Sequence, residues 1–148
     1  MGAYEFTIEI AAPVEQVFAL WTDLDRAGEW IGGLTSVTDR TGPPDRAGTT
    51  YVSHFGPMHS PTEILEADPP RWLRTKFGSW LLRGETTARF EPLPDGRTRL
   101  TQTFKTIGVI PAISSRLFAL GSYDGSFRGE LRKFASIVER EAAETRTP

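Results

Sequence analysis

A chain of 148 residues, 39% hydrophobic and 24% charged, fits one globular domain with a full core and leaves little room for a second. Lysine and arginine number 17 and aspartate and glutamate 19, a net charge of −2 that argues against a binder of nucleic-acid backbones. The absence of cysteine excludes disulfides, thiolate nucleophiles, Cys-ligated zinc and iron–sulfur clusters.

The opening Met1-Gly2-Ala3-Tyr4-Glu5 has neither a basic region nor an apolar core, so no signal peptide is expected. No stretch approaches the ~20 apolar residues of a membrane span, and the expected location is the cytoplasm. Tyr4 to Ile10 alternates strictly, with Tyr4, Phe6, Ile8 and Ile10 on one face and Glu5, Thr7 and Glu9 on the other, which predicts a strand with one wet face. Pro13 suits the first position of a helix, and Val14, Val17, Phe18 and Trp21 form one helical stripe behind it. Asp23 and Asp25 are expected to cap a second short helix ending near Gly28.

From Leu34 to about Lys105 the chain reads as consecutive strands, with turns at 41–48, Gly56-Pro57, Asp68-Pro69-Pro70 and 92–96. Spacings of roughly 8–15 residues are too short for βαβ crossovers and predict an antiparallel meander. The inward face of 83–91 is Gly84, Thr86, Ala88 and Phe90, and that of 98–105 is Thr98, Leu100, Gln102 and Phe104. A tight core prefers larger aliphatics. Small and polar members suggest a wall that leaves space for a ligand, or a gap that a bulky helix fills.

From about Pro111 to Glu144 the chain reads as one long helix with the stripe Ile113, Leu117, Leu120, Asp124, Phe127, Leu131, Phe134 and Val138. Asp124 interrupts this apolar stripe. Gly121, Gly125 and Gly129 recur four apart on an adjacent face, each at roughly 1 kcal/mol of helix propensity, which points to a close approach, a kink or room for a ligand. The tail from about 141 is polar and expected to fray.

Three stretches sharpen this order. Ile8 to Phe18, together with Thr22-Asp23 and Trp30, resembles the opening of the START / polyketide cyclase / Bet v 1-like (SRPBCC) superfamily. Glu63 to Leu73 resembles its central hairpin, and Asp95 to Thr101 its last strand. The resemblance covers nearly the whole chain and is similar in kind to single-domain bacterial polyketide cyclase/dehydrase-like members. It implies an α+β helix-grip fold: a curved seven-stranded antiparallel sheet wrapped around a long C-terminal helix, with two short helices after the first strand and an apolar cavity between sheet and helix. It also implies a small hydrophobic ligand, such as a lipid or polyketide, or cyclase, aromatase or dehydratase chemistry on a poly-β-ketone. Fold alone decides neither.

The inward residues define the expected ligand wall. The strands contribute Tyr51, Ser53, Phe55, Thr62, Ile64, Leu73, Thr75, Phe77, Thr86, Ala88, Phe90, Leu100 and Gln102, and the helix contributes Leu120, Asp124 and Phe127. The alternative for this set is a closed core. Trp30 and Trp80, near turns, are candidate rim residues. Candidate catalytic residues are Asp124, Tyr51, Gln102 and His54; Asp124 faces a cavity, pairs with Arg116 or Arg128, or turns to water. His54 and His59 flank the Gly56-Pro57 turn, so their rings need not converge, and no neighbouring carboxylate completes a metal set. No metal or cofactor is expected, no nucleic acid, and a monomer or homodimer in solution.

Overall fold

The computed structural model describes residues 3–78, 83–106 and 122–146. Strand β1 (Ala3–Ile10) leads into helix α1 (Val14–Trp21) and a short 3₁₀ turn (Ala27–Glu29). Strands β2 (Ser36–Thr38), β3 (Thr50–Phe55), β4 (Met58–Asp68), β5 (Trp72–Gly78), β6 (Arg83–Pro92) and β7 (Thr98–Thr106) follow, and helix α2 (Ser122–Arg146) closes the described chain. The seven strands form one antiparallel sheet in the order β1-β7-β6-β5-β4-β3-β2, the architecture expected of a helix-grip fold. No helix among the described residues is long and apolar enough to cross a membrane.

The alternations in the sequence become the two faces of this sheet. Phe6 and Ile10 of β1 are buried while Glu5, Thr7 and Glu9 are not, and β1 sits on β7 with Phe6 opposite Gln102 and Ile10 opposite Thr98. A bulge between Ile64 and Glu66 shifts the β4–β5 register, a device that bends and twists a strand. Helix α1 starts one residue later than expected: Pro13 is the N-cap, with φ −66°, and its carbonyl accepts the N–H groups of Gln16 and Val17. Asp23 and Asp25 do not cap the second helical segment. The Asp25 N–H donates to Asp23 Oδ1 at 3.2 Å, closing a local turn before the 3₁₀ segment, and Asp25 pairs with Arg40 at 2.7 Å. Where the stripe predicts one helix from about Pro111, α2 is described from Ser122; residues 107–121 lie outside the described set.

The C-terminal part of α2 packs on β1 and α1. Leu131, Phe134, Ala135, Ile137, Val138 and Ala142 are buried with Phe6, Ile10, Val14, Val17 and Phe18 in one cluster. Phe134 is fully buried, with Trp21 and Trp30 each presenting an edge-to-face ring at 5.1 Å. Phe90 joins this group through Trp21 at 6.0 Å and Phe18 at 5.2 Å. Polar ties fix the corner between β1 and α1. Glu139 Oε2 accepts the Ala11 N–H at 2.8 Å, and the buried Thr98 hydroxyl donates to the Ala12 carbonyl at 2.7 Å. Arg26 bridges Glu29 and Glu141, which holds both carboxyls below the usual range and Arg26 more firmly protonated than an ordinary arginine.

Two glycines have opposite reasons to be there. A Cβ at Gly84 would lie 2.4 Å from the Lys105 carbonyl oxygen and 2.8 Å from the Phe77 ring, so only glycine lets β6, β7 and Phe77 close together. Among the described residues a Cβ at Gly129 would meet nothing within 4 Å, so of the three expected reasons a close approach is not found there; Gly121 and the surroundings of Gly125 lie outside the described residues. Gly129→Ala is therefore expected to stabilise the protein by about 0.5–1 kcal/mol in urea unfolding. Gly84→Ala should destabilise it by about 1–3 kcal/mol in the same measurement.

Candidate ligand cavity

Between the inward face of the sheet and the segment Trp21–Leu34 lies a cavity of about 580 Å³. That is within the roughly 300–1,000 Å³ typical of small-molecule sites. Alternation puts every second residue of a strand on this face, and the register sets those residues side by side. Tyr51 lies opposite Thr62, Ser53 opposite Ser60, Thr75 opposite Thr86, and Ala88 opposite both Leu73 and Gln102. Phe77 stacks on Phe104 at 5.2 Å. The facing side is built by Trp21, Leu24, Trp30, Ile31 and Leu34, with Leu131 and Glu130 from α2. Exposed lining residues Gly32 and Met58 mark where the described wall reaches the surface.

The polar groups on this apolar wall are few. The Thr75 and Thr86 hydroxyls bond to each other at 2.6 Å. The Tyr51 phenol, the Gln102 amide and the Ser53 hydroxyl have no side-chain hydrogen bond among the described residues. Tyr51 keeps part of its surface open to the cavity, yet the surrounding protein desolvates the phenol enough to push it up to about 12. Glu130 Oε2 accepts the Gly32 N–H at 3.0 Å. Burial pushes the Glu130 carboxyl above the ordinary range, and the Gly32 N–H pulls it partly back.

The family described as polyketide cyclase / dehydrase and lipid transport matches residues 1–139. The chain belongs to that family. Among solved structures, a conserved protein from Geobacillus kaustophilus superposes with a TM-score of 0.74 at 19% identity, covering 94% of this chain and 96% of the other. A protein from Mesorhizobium loti gives 0.74 at 16% identity, covering 94% and 98%. DynU16, from the dynemicin biosynthetic locus, gives 0.68 at 17% identity, covering 95% of this chain and 48% of the other. At these identities the likeness establishes the fold. No curated protein matches the sequence.

In this polyketide cyclase / dehydrase and lipid transport family member, ten of the sixteen expected wall residues line the cavity. They are Tyr51, Ser53 and Phe55 on β3, Thr62 on β4, Leu73, Thr75 and Phe77 on β5, Thr86 and Ala88 on β6, and Gln102 on β7. Ile64, Phe90 and Leu100 face inward but are at most 1% exposed, sealed in the core rather than on the wall; Phe90 is covered by Phe18 of α1 and by Trp21. Leu120, Trp80 and the side chains of Asp124 and Phe127 lie outside the described residues. Trp30 lines the cavity but is 5% exposed against Phe134, so it forms floor, not rim.

His54 does not reach the cavity. It alternates with the wall residues Ser53 and Phe55 and so lies on the opposite face, where its Nε2 meets the Thr38 hydroxyl at 2.6 Å. The two histidine rings, which the turn between them did not require to converge, do converge. Antiparallel pairing sets His54 directly opposite His59, with ring centroids 4.6 Å apart. Among the described residues no group of three or more histidines or carboxylates is placed to hold a metal.

The sequence reading also missed the facing side (Trp21, Leu24, Ile31, Leu34 and Leu131) and one charged lining residue, Glu130. It follows Phe127 by three positions and precedes Phe134 by four, the spacing of one helix face, and only its charge kept it off the apolar stripe. Its raised carboxyl has a consequence for stability. The folded state holds this proton to higher pH than the unfolded chain, so the contribution of Glu130 to stability is lost as pH rises through that window. Glu130→Gln should therefore raise Tm at neutral pH relative to wild type. The gain should vanish below the ordinary glutamate pKa of about 4.3, as followed by thermal melts across pH.

Proposed function

We propose that the protein binds a small, mostly hydrophobic molecule in this cavity. The observation that carries the reading is a wall of Trp21, Trp30, Leu73, Phe77 and Phe104 interrupted by polar groups with no side-chain hydrogen bond among the described residues, those of Tyr51, Gln102 and Ser53. Apolar walls bordering about 580 Å³ favour an apolar guest, because replacing water there removes apolar surface from solvent. Isolated hydroxyl and amide groups on such a wall fix the orientation of a guest that supplies their missing hydrogen bonds. Membership of a family described as cyclase/dehydrase and lipid transport agrees with such a guest.

A second reading, closure or dehydration of a poly-β-ketone in the same space, draws on the family description and on the biosynthetic locus of DynU16. Tyr51, Gln102 and Glu130 are the wall groups able to orient a carbonyl or move a proton. The binding reading is preferred because these groups make no hydrogen bond to one another among the described residues, as a relay would require.

Nile red, a neutral apolar dye, tests the binding reading. Wild type should bind it with a blue-shifted, enhanced emission. Ser53→Trp inserts an indole beside Ser60 without breaking any side-chain hydrogen bond among the described residues. It should weaken dye binding by about tenfold or more while Tm moves by only a few degrees, since no packed neighbour is displaced. Equal binding by the variant would place the dye elsewhere, and no binding by wild type would reject the reading.

A further inference from the structure

The described wall of the cavity is almost uncharged. Among its described lining residues Glu130 alone carries a formal charge, and no lysine, arginine or histidine reaches the wall. Glu130 is half-buried beside the exposed Gly32, so it stands where the cavity meets the surface. One carboxylate oxygen accepts the Gly32 N–H at 3.0 Å; the other has no donor among the described residues. Among the described residues no lysine or arginine forms an ion pair with Glu130. Arg26 is held by Glu29 and Glu141, and the Arg128 guanidinium lies 5.6 Å from the Phe6 ring centroid.

We propose that Glu130 sets the charge of the ligand: the cavity takes apolar molecules whose polar end donates hydrogen bonds, a hydroxyl or an ammonium, and rejects those that end in a carboxylate or phosphate. This rests on the binding reading above. An ionised carboxylate is an acceptor only, so a ligand hydroxyl or ammonium completes the free oxygen of Glu130, while a ligand carboxylate sets acceptor against acceptor and charge against charge. Reversing the ligand does not rescue an anion. Its charge would then lie deep among Trp30, Leu73 and Phe77, where the neutral Tyr51 phenol and Gln102 amide cannot compensate a buried charge. Fatty acids are therefore poor ligands, and long-chain alcohols, phenols and amines are good ones.

Displacement of bound Nile red by 1-decanol, decylamine and decanoate at neutral pH isolates the end group on one ten-carbon body. Wild type should bind decanol and decylamine at least about tenfold more tightly than decanoate. Glu130→Gln keeps an oxygen for the Gly32 N–H and removes the charge. It should narrow the gap between amine and acid to about threefold or less, and a Tm within a few degrees of wild type reports that the variant is folded. Should Glu130→Gln fail to melt cooperatively, Glu130→Ala replaces it in the same comparison. Decanoate binding wild type as tightly as decanol, or a gap that survives loss of the charge, overturns the assignment and leaves the binding reading standing. Failure of wild type to bind Nile red or any of the three overturns both.

Discussion

The fold turns on one side chain. Phe134, fully buried on α2, is held edge-to-face between Trp21 at the end of α1 and Trp30 just after the 3₁₀ turn. Each such ring pair is worth roughly 0.5–1.5 kcal/mol beyond its area burial. The geometric consequence matters more than the energy. With both tryptophans on Phe134, the segment between them must bridge over the sheet at a fixed height. Phe90 and Phe18 extend the same cluster to β6 and close one end of the space beneath. What remains at the other end, over β3 to β7, is the cavity. The same packing that completes the core therefore leaves a void beside it.

The cavity and the core differ by residue size on one continuous face. Along β6, Phe90 is sealed, Ala88 marks the floor, Thr86 pairs with Thr75 across the strand, and Gly84 admits the Phe77 ring. A strand that loses side-chain volume step by step cannot stay in contact with a straight helix, so packing gives way to open space. The polar groups follow the same gradient. Thr98, at the sealed end, spends its hydroxyl on the Ala12 carbonyl, whereas Ser53 and Gln102, at the open end, have none to spend theirs on among the described residues.

The fold was legible because it rests on period-two alternation and turn residues, both local signals. Residues 5–10, 83–91 and 98–105 fall on the expected faces, and glycines at the β3–β4 and β6–β7 turns take positive φ. The wall was legible for the same reason, down to the small inward residues of β6. What was not legible depends on contacts across the sheet. Alternation cannot say which inward residue other elements cover, so Ile64, Phe90 and Leu100 read like their neighbours yet lie in the core. Nor does a turn between two histidines reveal that register sets them directly opposite each other, ring edge to ring face. Glu130 was hidden by its chemistry: an acidic residue on a helix reads as solvated unless its spacing to Phe134 is weighed first. The carboxylate singled out instead, Asp124, has its side chain outside the described residues.

The central claim is that this space receives an apolar guest. Amide and side-chain chemical shifts on addition of saturating 1-decanol test it most directly. The account predicts that the shifted residues concentrate on Tyr51, Thr75, Thr86, Gln102 and Trp30, with His54 and His59 on the opposite face unmoved. Shifts confined to the outer face, or none at saturation, would contradict it.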